Sequence, residues 1–310
     1  MVAKKSHNPA DYIVPVNING MQGRMLHLPA KRGKKKNILL IAGHHTSIER
    51  LVGVTAQLNK YGDVTSPDLP GFGGMDSFYK IGKQPTLDNL ADYLAAFIRL
   101  RYKKHEHFSV IGISFGFAVV TRMLQKYPEI AARTDLVVSL VGLVHKDDFA
   151  LRKRTMWELR TLTSFLQHRV PAWLMLHVAL RPSLIRTTYH VFSTVNPKMR
   201  GHDREQQDKL IDFEIQLWRQ NDTRTHAFTT LVMFNLDLCN ERVALPVHHV
   251  AVKGDRYFDN YHVEQHMRVI YSDFELIESN MKGHVPTIIA DAKDAAPFVP
   301  KRLRELLSEK

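Results

Sequence analysis

Apolar positions along the chain change their spacing several times, and each change marks an element. Residues 12–17 and 25–28 alternate or cluster in strand fashion around Asn19-Gly20, a pair suited to the tight turn of an opening hairpin. Residues 37–42, NILLIA, form a short continuous apolar run, which predicts a strand covered on both faces. Residues 48–59 switch to helical spacing, with Leu51, Val54 and Leu58 on one side and Gly62 just past the end. A brief strand at 63–66 follows. Pro85 and Thr86 open a second helix to about Leu100, whose Leu87, Leu90, Leu94 and Phe97 line one face.

The alternation continues with a strand at 107–113, a helix at about 115–126 and a largely apolar strand at 136–144. From about 146 to 236 the strand pattern disappears. That stretch reads as helical, carries Trp157, Trp173 and Trp218, and is broken by Pro171, Pro182 and Pro197. Strand 247–253, helix 262–270 and strand 273–278 then resume the order, and Pro300 suits the first position of a closing helix to about Leu307. Strands alternating with helices build a mostly parallel sheet with helices on both faces. The expected architecture is therefore an α/β core of residues 1–145 and 237–310, interrupted by a helical insertion at 146–236.

Composition narrows the class. Of 310 residues, 44% are hydrophobic and 24% charged, the balance of a soluble globular protein rather than a disordered or fibrous one. One cysteine, Cys239, excludes an intramolecular disulfide and any cysteine-built zinc or iron–sulfur site. The first residues have no apolar core of a secretory signal. The longest apolar runs, 136–144 and 170–180, fall short of the roughly 20 residues that cross a bilayer, so a cytoplasmic protein without integral membrane association is expected. The formal charge of +12 concentrates at Lys31, Arg32, Lys34, Lys35 and Lys36. The excess could point to nucleic acid or an anionic membrane surface, but no aromatic residues interleave there, so a solvated turn is expected rather than either.

Candidate chemistry begins where the strand at 107–113 runs into Gly112-Ile113-Ser114-Phe115-Gly116 and then a helix. A nucleophile on a sharp strand-to-helix turn needs small neighbours two positions away on each side. The helix start also favours a developing negative charge. Serine at neutral pH needs a base oriented by a carboxylate. Both types occur beyond later strands, in Gly254-Asp255-Arg256-Tyr257-Phe258 and in Gly283-His284-Val285-Pro286. The carboxyl ends of parallel strands share one edge, so distant positions can converge.

The order Ser114, Asp255, His284 resembles that of the α/β-hydrolase superfamily, in its serine-nucleophile, esterase- or lipase-like branch with a helical cap. The resemblance spans nearly the whole chain. Asp68-Leu69-Pro70-Gly71-Phe72-Gly73 is similar to the family's D-x-P-G-x-G loop, and Gly43-His44-His45-Thr46-Ser47 corresponds to its oxyanion loop, with Ala42-Gly43 where members usually carry His-Gly. The resemblance implies backbone donors at His44 and Phe115, a cap at 146–236, and hydrolysis of a carboxylic ester or related acyl bond of a small apolar substrate through an acyl-enzyme on Ser114. Acyl transfer, carbon–carbon bond hydrolysis and non-catalytic ligand binding are the alternatives. The acid is Asp255 or its rival Asp259. The three tryptophans, with Met156, Phe165, Met175, Phe192 and Phe228, could line an acyl pocket or simply pack the cap.

Other patterns are weaker. His262 and His266 share a helical face, but Glu264 is misplaced for H-E-x-x-H, so no metal is expected. The pairs His44-His45 and His248-His249 diverge as neighbours must. No phosphate-cradling glycine loop is present, so no cofactor is implied. Cys239 reads as a small apolar bystander.

Overall fold

The computed structural model describes residues 9–30, 36–191, 203–281, 284, 293 and 295–309. The basic cluster at 31–35, Phe192, Gly283, Val285 and Pro286 lie outside them. The chain opens with the predicted hairpin, β1 (Ile13–Ile18) and β2 (Met21–Leu28), in the register Ile18 opposite Met21. Its two-residue turn needs positive φ at both positions. Asn19 (φ 52°) and Gly20 (φ 83°) supply it.

Next come β3 (Lys36–Ile41), α1 (Ile48–Leu58), β4 (Gly62–Pro67), α2 (Leu87–Arg101), β5 (Phe108–Ile113), α3 (Phe115–Lys126), the single turn α4 (Pro128–Ala131) and β6 (Thr134–Leu140). Helices follow: α5 (Lys153–Leu166), α6 (Arg169–Leu174), continued by one π-helical turn at Met175–Ala179, α7 (Pro182–Val191), α8 (Arg204–Gln220) and α9 (Thr223–Phe234). β7 (Val243–Val252), α10 (Asn260–Ile270), β8 (Tyr271–Ser279) and α11 (Lys301–Ser308) close the chain. Eight strands form one sheet in the order β1-β2-β4-β3-β5-β6-β7-β8. β3 through β8 run parallel, and β2 alone runs against them, antiparallel to both β1 and β4.

The unbroken apolar run of β3 has a simple cause. Leu39 and Ile41 enter the core beneath α2, α3 and α10, while Ile38 and Leu40 enter the core beneath α1 and α11. Both sheet faces are covered, so both side-chain sets must be apolar. The helical stripes face inward as their spacing requires: Leu51, Val54 and Leu58 of α1 and Leu90, Leu94 and Phe97 of α2 are buried.

Several boundaries differ from the sequence expectation, and three of them have a visible cause or consequence. The strand placed at 136–144 ends at Leu140, because Val141 turns to φ 46° and donates its N–H to Val250 O at 2.9 Å. Leu143 and Val144 stay buried without being strand, which is why the apolar run outlasts the element. β7 starts at Val243 rather than 247, since it pairs with β8 from Val243 opposite Tyr271 through an irregularity before Pro246. Pro300 is the residue before α11 rather than its first member. Among the described residues, no strand lies between Leu140 and Val243, and no helix is long and apolar enough to cross a membrane.

Candidate active site

β5 is buried at every position and drives straight into Ser114, whose φ of 50° and ψ of −123° are strained for a residue with a side chain. The surroundings enforce that turn. Ser114 N–H is fixed to Leu140 O at 2.9 Å, and Ser114 O accepts from Phe117 N at 3.0 Å. The flanking glycines are required by close approach: a Cβ on Gly112 would lie 2.5 Å from Phe117 Cα, and one on Gly116 would lie 2.3 Å from Ala42 O. The hydroxyl is therefore presented on a rigid corner beside the first turn of α3, where backbone N–H groups have no partner within the helix.

His284, beyond β8, meets this corner: its Nε2 lies 3.0 Å from Ser114 Oγ, and its Nδ1 lies 2.6 Å from Asp255 Oδ2. Because a carboxylate only accepts, Nδ1 carries the hydrogen and the Nε2 lone pair faces the serine. The acid and imidazole side chains are only 2% and 7% exposed. Burial would raise the Asp255 pKa, but the bonds and charge of His284 and the N–H groups of Tyr257 and Phe258 outweigh it and hold the carboxyl below its usual range. The structure thus brings Ser114, His284 and Asp255 together. Asp259 stays outside, capping α10 by accepting from Tyr261 N at 2.9 Å and His262 N at 3.3 Å.

The acid's loop is held by the chain that leads into the helical segment. Asp259 N donates to Asp148 O and Ala150 N to Tyr257 O, both at 2.8 Å, with Phe149 bridged to Phe258. The Phe258 ring meets the His284 ring edge-on at 4.8 Å. Asp148 is fully buried and accepts from Val144 N, His145 N and His266 Nδ1 at 2.8, 2.9 and 2.6 Å. His262 and His266 thus have separate duties, and among the described residues no group of ligands fits a metal ion. His248 and His249 diverge to opposite partners, Glu275 and Ser139, each at 2.8 Å. Burial pushes the His249 pKa down to about 4. Burial also pushes the Cys239 thiol up to about 11, which keeps it protonated.

The loop between β3 and α1 packs Gly43 against the serine: a Cβ there would touch Ile113 O at 3.2 Å and Ser114 Cβ at 3.3 Å. Next to it the His44 ring lies edge-on to Phe115, 5.8 Å away, and its Nε2 meets Thr229 Oγ1 at 2.9 Å and His226 O at 3.2 Å. Burial holds the His44 pKa well below that of free histidine and pushes His226 down to about 3. Sequence reasoning valued His44 for its N–H alone and missed its side chain as the link to α9.

The D-x-P-G-x-G loop is tied to the same helices. Gly73 N donates to Asn221 Oδ1 at 2.7 Å, Asp222 N donates to Gly71 O at 2.8 Å, and Ser77 and Thr225 share a hydroxyl bond of 3.1 Å. Asp68 is buried and accepts from Ile48 N, Gly74 N and Arg24 Nε, although burial pushes its pKa up to about 7. Beneath α8, Arg50 pairs with Glu214 at 3.0 Å, both side chains nearly inaccessible. His226, Thr229, Asn221 and Glu214 carried no local sequence signal, because each partner lies more than 140 positions away.

The expected pocket aromatics divide. The Trp218 ring lies tilted against His45, 4.1 Å between centroids, in the loop that packs on the serine. Trp157, Phe165 and Trp173 instead lie largely in the open, 68%, 60% and 56% exposed, so they do not pack the cap.

No family model matches the chain, and neither does any curated protein. Solved structures do. An enol-lactonase from Burkholderia xenovorans LB400 superposes with a TM-score of 0.65 at 14% identity, covering 96% of this chain and 100% of its own. A thermophilic esterase from Thermogutta terrifontis gives 0.61 at 16% identity, covering 95% and 98%. A deformylase from Pseudomonas putida S16 gives 0.62 at 17% identity, covering 92% and 98%. The chain has the α/β-hydrolase fold.

Proposed function

We propose that the protein is a serine hydrolase that opens a carboxylic ester or related acyl bond of a small substrate through an acyl-enzyme on Ser114. One observation carries this reading: the unbroken contact from Ser114 Oγ through the His284 ring to the buried Asp255 carboxylate. In the proposed cycle Ser114 Oγ attacks the acyl carbon as its proton passes to His284 Nε2. The leaving group departs with that proton. A water then gives a proton to His284 as its oxygen attacks the acyl carbon, and His284 returns that proton to Ser114 Oγ as the acid leaves. Asp255 holds the tautomer and stabilises the imidazolium. The backbone N–H groups of His44 and Phe115 are the proposed oxyanion donors, each worth about a hundred- to a thousand-fold in rate. The helices of 146–236 are the proposed cap. The lactonase, esterase and deformylase among its structural relatives fit acyl chemistry without selecting a substrate.

The test is fluorophosphonate labelling followed by a panel of chromogenic esters of increasing acyl length. Ser114→Ala should lose labelling and at least about ten-thousand-fold in kcat/KM, and Asp255→Asn should lose a comparable factor with KM little changed. Asp259→Asn should retain the parent's rate. Equal labelling of Ser114→Ala and the parent would overturn the assignment, and full activity in Asp255→Asn would remove the acid from it. Supplying an alcohol beside water reads hydrolysis against acyl transfer from the product ratio.

A further inference from the structure

Between residues 151 and 191 the chain carries seven Lys or Arg against one acid, Glu158, so this stretch supplies about half of the protein's net +12. Its helices also break the rule that the sheet-flanking helices obey. In α5 and in α6 with its π-helical turn, residues at helical spacing face outward and are apolar: Trp157 and Phe165 on one, Val170, Trp173, Leu174 and Val178 on the other, all exposed. Both helices rest on α9 with their opposite sides. Here, unlike at residues 31–36, aromatic and basic side chains interleave. The N-terminus of α5 adds a second anomaly. Arg152, without a side-chain capping bond, and then Lys153 and Arg154 crowd cations onto the positive end of the helix dipole, an arrangement that costs stability in water unless anions approach.

We propose that the outer face of α5 and α6 is a docking surface for an anionic lipid bilayer. Tryptophan and phenylalanine with aliphatic neighbours enter the boundary between headgroups and acyl chains, while the surrounding cations pair with lipid phosphates. A second copy of the chain fits this face poorly. A two-fold contact sets a patch against itself and would press these cations together. A nucleic-acid strand would use the cations and aromatic rings but leave Val170, Leu174 and Val178 in water.

The test is flotation of the full-length protein with vesicles of phosphatidylglycerol and phosphatidylcholine against vesicles of phosphatidylcholine alone, with tryptophan emission and quenching by brominated lipid as the second readout. Binding should be at least about tenfold tighter to the anionic vesicles, weaken in 0.5 M salt (about a 4 Å screening length) and blue-shift the emission. Trp157→Ser with Trp173→Ser should lose binding with an unchanged Tm, since both side chains are exposed. Arg152→Asp with Lys153→Glu should weaken it about tenfold or more while leaving Tm equal or higher. Ser114→Ala should bind like the parent, which separates this inference from the catalytic one. Absence of binding to anionic vesicles by the folded protein, undiminished binding by the double tryptophan variant, a dimer in sedimentation that buries these tryptophans, or tighter binding to a single-stranded oligonucleotide than to the vesicles would each overturn it.

Discussion

Helices α8 and α9 begin on aspartates, and α5 begins on an arginine. Asp203 accepts from Gln206 N and Asp222 from Thr225 N, so each of the first two satisfies a free donor and opposes the helix dipole with negative charge. They are also fastened to the core: α8 through Glu214 and Arg50, α9 through Thr229 and His44, and the turn between them through Asn221 and Gly73. α5 and α6 have no side-chain cap, turn apolar residues outward and reach the sheet mainly through α9. Residues 146–236 thus hold two kinds of helix. α8 and α9 are fastened to the core loops, and α5 and α6 turn apolar side chains to the outside.

The difference can be broken at several points. Arg50→Met would take the guanidinium from the buried Glu214 carboxylate and should cost about 3 kcal/mol in denaturant unfolding, whereas Leu162→Ser on exposed α5 should stay within about 0.5 kcal/mol. Acid should weaken the fastened half next. Between pH 6.5 and about 3 the unfolded chain takes a proton at position 226 that the folded protein refuses, so this stability is intact above pH 6.5 and lost as pH falls. At pH 5 that group alone amounts to about 2 kcal/mol, and thermal melts of His226→Gln should show a correspondingly flatter pH dependence. Asp222→Ala should cost about 1 kcal/mol through the lost cap. Smallest and of opposite sign, Arg152→Asp should raise stability by about 0.5 kcal/mol, measured by urea unfolding.

Much of the site was readable because its determinants are local. Gly112 and Gly116 are needed by contacts within the strand–turn–helix unit, so their spacing around Ser114 signals the geometry by itself. His284 and Asp255 were legible through chain order, since parallel strands bring their carboxyl ends to one edge. The sequence favoured Asp255 but left Asp259 as a rival, because both follow β7 and only the bonds of the loop show that one faces the imidazole and the other caps a helix. The ties of His44, Asn221 and Glu214 were invisible for a different reason: a side-chain pair joined across the fold leaves no periodicity. The outward apolar residues of α5 and α6 misled directly, because a period alone does not say which way its stripe points.

The short stretch from Lys146 to Ala150 bears on how the protein can be rebuilt. Its backbone holds the loop that carries Asp255, and the Asp148 carboxylate knits Val144, His145 and His266 together. Chimeras that exchange the helices for another set should therefore be spliced after Ala150. A cut at 145 would remove the brace from the Asp255 loop while leaving Ser114, Asp255 and His284 in the sequence.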